Sequence, residues 1–307
     1  MQVCANADRR WSRWLKRALT ASLGIAILTT CAAPADSAEP GILDRIADTG
    51  VLRAGTRASA PPFAVLDNGR FSGFSVDLLH VIKKYVSERL DRSVSLQISA
   101  VSTRTRLQKL EEGNLDIVCG LTTPTWSRER RVDFTVPIFV DGTRILTWRR
   151  LGQRGLTGLD GRRVGVLANS TTERIVALAL PSVRPVAFDD MGAAMAALKA
   201  GEVSGVANIG VLLESLRADM QSSISLMLVP SGGALNREFM SCAVPENNSS
   251  FRDTVNRALV RSYDGLRDFS GTYADIYFRW FGVDGDVYYP LTNARRDALL
   301  AARMWAN

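Results

Sequence analysis

Residues 113–135 read GNLDIVCGLTTPTWSRERRVDFT, and the fold turns on them. Leu115–Cys119 is a short apolar run of the kind that forms a buried strand. It stops at Gly120. Two adjacent threonines, Thr122 and Thr123, and then Pro124 make a turn, and a run of arginines opens at Arg128. Glycine exposes backbone, threonine supplies short hydroxyls, and arginine supplies a bidentate fork for a carboxylate. A strand ending in such a loop is a place to hold a small anion. Threonine-rich turns and solvated arginines are also common on surfaces, so the stretch alone leaves both readings open.

Outward from it, strands and helices alternate. Val51–Ala54 reads as a strand, and Leu78, Leu79, Ile82 and Val86 repeat at helical spacing. Val94, Leu96 and Ile98 alternate as in a strand, and Leu107 and Leu110 mark a short helix ending at Gly113. This order implies a sheet with helices on its faces. A second run begins near Ile145. It places strands at Val164–Leu167, Val183–Phe188 and Val203–Ile209, and helices at Thr171–Leu180 and Met191–Ala200. Phe239–Val244 is strand-like. Asn248 is positioned to cap a helix carrying Phe251, Val255 and Leu259, and a further helix carries Ile276, Tyr277, Trp280 and Phe281. After Gly282, an extended Tyr288–Leu291 and a helix over Asn293–Trp305 read as an appendage.

The amino terminus has the form of an export signal. Five basic side chains lie within Arg9–Arg17, an apolar run covers about Ala18–Leu28, and small residues follow to Ala38. The apolar run is short for a membrane span. Residues 1–38 are therefore read as a signal peptide. Leu28-Thr29-Thr30-Cys31 faintly resembles a lipoprotein signal, but Thr30 fits poorly before the cysteine. The net charge is +7, of which residues 1–38 hold +3, and the remaining basic residues are scattered. That pattern is no nucleic-acid footprint. The remainder, about 270 residues, is enough for two lobes. Cys4 and Cys31 fall in the leader. Cys119 and Cys242 remain as one pair, either a disulfide of an exported chain or two buried thiols. His80 is the only histidine and lies in a helical pattern, which argues against a Ser-His-Asp triad or a histidine-rich metal site.

Six pieces in order carry a resemblance: GVLRAGTRASAPPF (50–63), GFSVDLL (73–79), LEEGNLDIVCGLTT (110–123), ERRVDF (129–134), LDGRRVGVLANSTTE (159–173) and LKAGEVSGV (198–206). From about Ile42 to Gly282 the chain resembles the family 3 periplasmic solute-binding proteins of amino-acid ABC transporters. CGLTT (119–123), IFVDGTRILT (138–147) and the carboxy-terminal extension make it most similar to the glutamate/aspartate-binding subgroup. The resemblance implies an α/β, two-lobed type II periplasmic-binding-protein fold, with a ligand cleft between lobes joined by two hinge strands. Lobe 1 would be 39–140 plus 242–283, lobe 2 would be 141–241, and 284–307 an extension. It also supports pairing of Cys119 with Cys242. It implies no cofactor. The expected partners are a small acidic solute and a membrane permease, met by a monomer in the periplasm.

Carried over position by position, the resemblance implies a ligand set of Arg57, Thr103, Arg106, Gly120, Leu121, Thr123, Arg128, Ser170, Thr171 and Met191. Arg128 would grip the ligand's α-carboxylate. The start of the helix at Thr171 favours an anion through its free N–H groups and dipole. Each charge-assisted hydrogen bond contributes roughly 1.5–3 kcal/mol, so a handful reaches the about 8 kcal/mol of micromolar binding. Two positions depart from the pattern. Val206–Gly210 lacks the aspartate with which the family holds an α-ammonium, and Met191 stands where the subgroup has histidine. The expected ligand is thus an acidic amino acid or an amine-free dicarboxylate, with any ammonium weakly held. A periplasmic dehydratase of cyclohexadienyl acids on the same fold is the enzymatic alternative. It needs a general acid, for which Glu173 is the only cleft carboxylate in view. A sensory receptor would use the same pocket.

Overall fold

The computed structural model describes residues 41–301 except 219 and 221–224. The signal-peptide reading of 1–38 and the end of the last helix, beyond residue 301, lie outside the described residues. Helix α1 (Ile42–Thr49) leads into β1 (Val51–Thr56) and a three-stranded antiparallel flap of β2 (Ser59–Ala60), β3 (Ala64–Asp67) and β4 (Arg70–Ser72). Then come α2 (Phe74–Arg89), β5 (Ser95–Ala100), α3 (Arg106–Glu111), β6 (Ile117–Val118), α4 (Trp126–Glu129) and the long β7 (Val132–Asp141). The middle of the chain forms β8 (Thr143–Trp148), α5 (Arg149–Gly152), β9 (Arg163–Leu167), α6 (Thr171–Ala179), β10 (Arg184–Phe188), α7 (Met191–Ala200), β11 (Gly205–Ile209), α8 (Gly210–Ala218) and β12 (Leu226–Val229). The chain returns through β13 (Glu238–Pro245) to α9 (Ser249–Ser262), α10 (Thr272–Phe281) and α11 (Asn293–Ala301).

Two five-stranded sheets result, β5-β1-β6-β13-β7 and β10-β9-β11-β8-β12. Each has three parallel strands on one side and antiparallel pairing on the other. This is the two-lobed α/β architecture that the resemblance implies. The parallel strands need helical crossovers, which is why their apolar runs alternate with amphipathic helices. Asn248 does occupy the N-cap of α9, but its Oδ1 accepts from the Ile42 backbone N–H and makes no cap bond.

Strand β7 does not read as a strand in the sequence because Pro137 interrupts it. Proline has no donor for the ladder, and the β7–β13 register shifts around Pro137 and Ser241. Side chains take over the freed groups: Thr135 Oγ1 accepts from the Cys242 N–H (3.1 Å) and Asn256 Oδ1 from the Val136 N–H (2.9 Å). Gly142 joins β7 to β8. A Cβ there would lie 2.0 Å from the carbonyl oxygen of Asn236, so glycine alone permits the two connecting segments to pass this closely. Beside it, Asp141 is buried. Burial pushes its carboxyl up, opposed by hydrogen bonds from Tyr289 Oη (2.6 Å) and the Val211 N–H (2.8 Å). The extension after Gly282 is thus tied to the β7–β8 junction.

The first sheet packs on an aromatic cluster of Phe63, Phe74, Phe139, Tyr277 and Phe281, with Phe139 stacked on Tyr277 at 5.7 Å. Tyr263 and Tyr273 donate to the carbonyls of Pro137 and Ile138, fastening the last helices to β7. Among the described residues, no helix is long and apolar enough to cross a membrane.

Two features of the stretch 113–135 brace this frame. Asp116 is fully buried and takes hydrogen bonds from the Arg53 backbone N–H (2.7 Å), the Arg53 guanidinium (2.7 and 3.2 Å) and Arg45 Nη2. Cys119, which follows β6, is disulfide-bonded to Cys242 of β13, 123 positions away. Asp116→Asn leaves two guanidinium groups without their carboxylate, and chemical denaturation should register a loss of about 3 kcal/mol. A loss under about 0.5 kcal/mol would contradict this role. Closing so long a loop contributes about 5 kcal/mol in the chain-entropy model. Thiol titration of denatured, unreduced protein lacking residues 1–38 should find no free thiol, and reduction should lower the melting temperature. Two reactive thiols per chain would refute the pairing.

Candidate functional site

The carboxyl ends of the parallel strands face one cleft, the usual location of ligand sites in open α/β sheets. Arg57 follows β1, Thr103 and Arg106 follow β5, and Leu121 and Thr123 follow β6. Ser170 and Thr171 follow β9, and Asn208 and Ile209 end β11. All of these, with Arg128 of α4, line one cavity, joined by Leu167, Thr172, Met240 and Glu238. The cavity measures about 30 Å³, room for little more than a water or two. A solute of four or five carbons must therefore spread the cleft to enter. The cleft is bridged as it stands: Arg128 Nη2 reaches the Asn169 carbonyl (3.4 Å) and Arg104 pairs with Asp189 (2.9 Å).

Local chemistry fixes the arginines. Thr125 caps α4, its Oγ1 accepting from the Arg128 N–H (3.3 Å), while Arg128 Nη1 donates to the Thr123 carbonyl (2.8 Å). The rest of the arginine run serves other ends, since Arg130 is exposed and Arg131 pairs with Glu111. Arg106 is 3% exposed, donates to the Leu121 carbonyl (2.9 Å) and has no partner for its Nε. Burial first, and then the charges of Arg128 and Arg57, push Arg106 down to about 9. Burial lowers Arg57 against the pull of Asp190, and lowers Arg128 against that of Glu238. All three shifts come first from burial, and only Arg106 is also lowered by neighbouring like charges.

Eight of the ten expected positions meet in this cavity. Gly120 and Met191 are not in its lining. Met191 lies behind Asn208, whose Nδ2 donates to its sulfur (3.0 Å) and whose Oδ1 accepts from the Ile209 N–H (2.8 Å). Leu121 contributes its carbonyl. Ser170 caps α6: its Oγ accepts from the Glu173 N–H (3.3 Å) and donates to the Leu167 carbonyl. Glu173, the carboxylate expected in the cleft, is outside the lining and accepts from the Asn169 N–H (3.2 Å). It acts as a helix-start residue. The carboxylate in the cleft is instead Glu238, at the first position of β13. Its Oε2 accepts from Thr123 Oγ1 (2.8 Å) and Thr171 Oγ1 (3.1 Å), and its Oε1 from Asn236 Nδ2 (3.0 Å). The one sequence signal for it is an acid opening a strand that is otherwise apolar. Among the described residues, no cluster of histidine, cysteine or carboxylate side chains is arranged to hold a metal ion.

Comparison with known proteins places the chain among relatives of one family. The sequence profile of the bacterial extracellular solute-binding proteins, family 3, matches residues 52–283. The L-glutamate/L-aspartate-binding protein of Pseudomonas aeruginosa is 27% identical over 248 residues, 78% of this chain and 80% of that protein. The glutamate/aspartate import solute-binding protein of Escherichia coli K12 is 26% identical over 276 residues, 87% of this chain and 89% of that protein. A solved ancestral arginine-binding protein bound to glutamine is 30% identical, with a TM-score of 0.65 over 76% of this chain and 98% of its own. The chain belongs to the bacterial extracellular solute-binding proteins of family 3.

Proposed function

We propose that this protein is the periplasmic solute-binding component of an ABC transporter and takes up an acidic amino acid of the glutamate or aspartate type, or a related dicarboxylate. The observation that carries the reading is the convergence of Arg57, Arg106 and Arg128 on one small cavity against a single carboxylate. Within the lining, three guanidinium groups and Glu238 leave two positive charges in excess, with Asp190 acting on Arg57 from outside it. A neutral or basic solute leaves that excess in place, whereas two carboxylates offset it. Arg128 and Arg106 present forks suited to carboxylates, and the start of α6 adds a partial positive charge from the opposite side.

The names of the relatives support a binding and import role over catalysis; Glu173, the general acid named for the dehydratase alternative, lies outside the cavity lining, and the carboxylate there is Glu238. In this reading the chain is exported by its leader, acts as a monomer, and closes its lobes, 39–140 with 242–283 and 141–241, over the solute before delivering it to a membrane permease.

Calorimetry should detect binding of glutamate, aspartate or a simple dicarboxylate that weakens with added salt, because the attraction is electrostatic. Arg128→Ala should cost about 3 kcal/mol of that binding with an unchanged circular dichroism spectrum. Tight binding of lysine or arginine with no response to any dicarboxylate would overturn the proposal.

A further inference from the structure

The family's aspartate is missing beyond β11, yet the cleft has its own acid on another element. We infer that Glu238, with the hydroxyl oxygens of Thr123 and Thr171, is a receptor for the solute's α-ammonium group, and that Glu238 decides between an acidic α-amino acid and an amine-free dicarboxylate. The inference rests on the cleft being the solute site, as proposed above.

It follows from hydrogen-bond direction. A carboxylate only accepts, so each threonine hydroxyl near Glu238 Oε2 must give it its single proton. Thr123 and Thr171 then have no hydrogen left for a solute carboxylate. Only lone pairs remain on them. Glu238 has roughly four acceptor sites, and three are filled by Thr123, Thr171 and Asn236. One carboxylate site and two hydroxyl oxygens are therefore gathered at one place as acceptors without a donor. A solute carboxylate is repelled there. An ammonium group brings three N–H donors on one nitrogen and matches that set.

The same geometry gives a division of labour in the cleft. Arg57, Arg106 and Arg128 are left to the solute's carboxylates, and the threonines serve its amine. Charge balance alone would favour a plain dicarboxylate, which cancels the two excess positive charges. Hydrogen bonding decides otherwise, because a solute without an amine leaves the fourth acceptor site of Glu238, which is 4% exposed, and the two threonine oxygens without a donor. A site built around a substrate N–H rejects analogues that lack it far more strongly than an apolar pocket rejects a missing methylene. Thr123 follows β6 of the first sheet and Thr171 follows β9 of the second. The receptor is therefore assembled only when the two sides of the cleft approach, so the amine is read at closure.

The test is calorimetry of the mature chain and its Glu238→Gln variant with L-glutamate and with glutarate, which has the same carbon chain without the amine. The wild type should prefer glutamate by roughly a hundredfold or more. Glu238→Gln should lose roughly a hundredfold in glutamate affinity and hold or gain in glutarate, inverting the order. A variant that keeps the wild-type preference for glutamate would overturn the inference. A wild type that binds neither compound defeats the reading of the cleft itself. If Glu238→Gln does not fold by circular dichroism, Thr123→Val serves in its place. Removing one acceptor should shift the glutamate-to-glutarate ratio roughly tenfold toward glutarate, and an unshifted ratio refutes the receptor.

Discussion

Three guanidinium groups, Arg57, Arg106 and Arg128, share the lining of one cleft with a single carboxylate, Glu238. Like charges at close range in a partly dry site repel strongly. Arg106 bears the most, being buried, flanked by Arg57 and Arg128, and short of a partner for its Nε. Backbone carbonyls of Leu121 and Thr123 relieve part of it. Stability must come from elsewhere: the aromatic cluster behind the first sheet, the buried Asp116 with its two arginines, and the disulfide from Cys119 to Cys242. In the proposed reading a solute with two carboxylates supplies the counter-charge, so binding and stabilisation are one event.

The connecting strands are part of the site. Glu238 opens β13, and Asn236, two positions earlier, donates to Glu238 Oε1 while its own Oδ1 accepts from the Thr143 N–H (2.9 Å) on the other connection. Gly142 brings these segments into contact, and Tyr289 of the extension holds Asp141 next to them. The acid facing the cleft is therefore mounted on the segment where the chain passes between sheets. A change in how the sheets sit against each other moves Glu238 relative to Thr171, which couples closure to recognition.

The sequence reveals local features and hides distant ones. Thr123, Arg128 and Thr171 are legible because they lie in a strand-end loop and at a helix start, whereas Arg57, Thr103 and Arg106 are reached only through the family resemblance. The parallel strands and their helices are legible through periodicity. Glu238 is not, since its partners Thr123 and Thr171 are 115 and 67 positions away and nothing near it marks a site. Strand β7 is hidden by Pro137, whose loss of a donor is made good by Thr135 and Asn256. The flap of β2 to β4 is hidden because strands of two to four residues leave no measurable alternation. Met191 is a family position carried over whose side chain packs behind Asn208, outside the cavity lining.

The central claim is that the cleft is strained by its own charges until an acidic solute arrives. The direct measurement is thermal unfolding of the wild type and of Arg106→Met, each with and without L-glutamate. Methionine fills much of the same space without the charge. The ligand-free variant should melt above the wild type, at about 2–4 °C for each kcal/mol of repulsion removed, and glutamate should raise only the wild type. A variant that melts below the wild type and is still stabilised by glutamate would contradict the account.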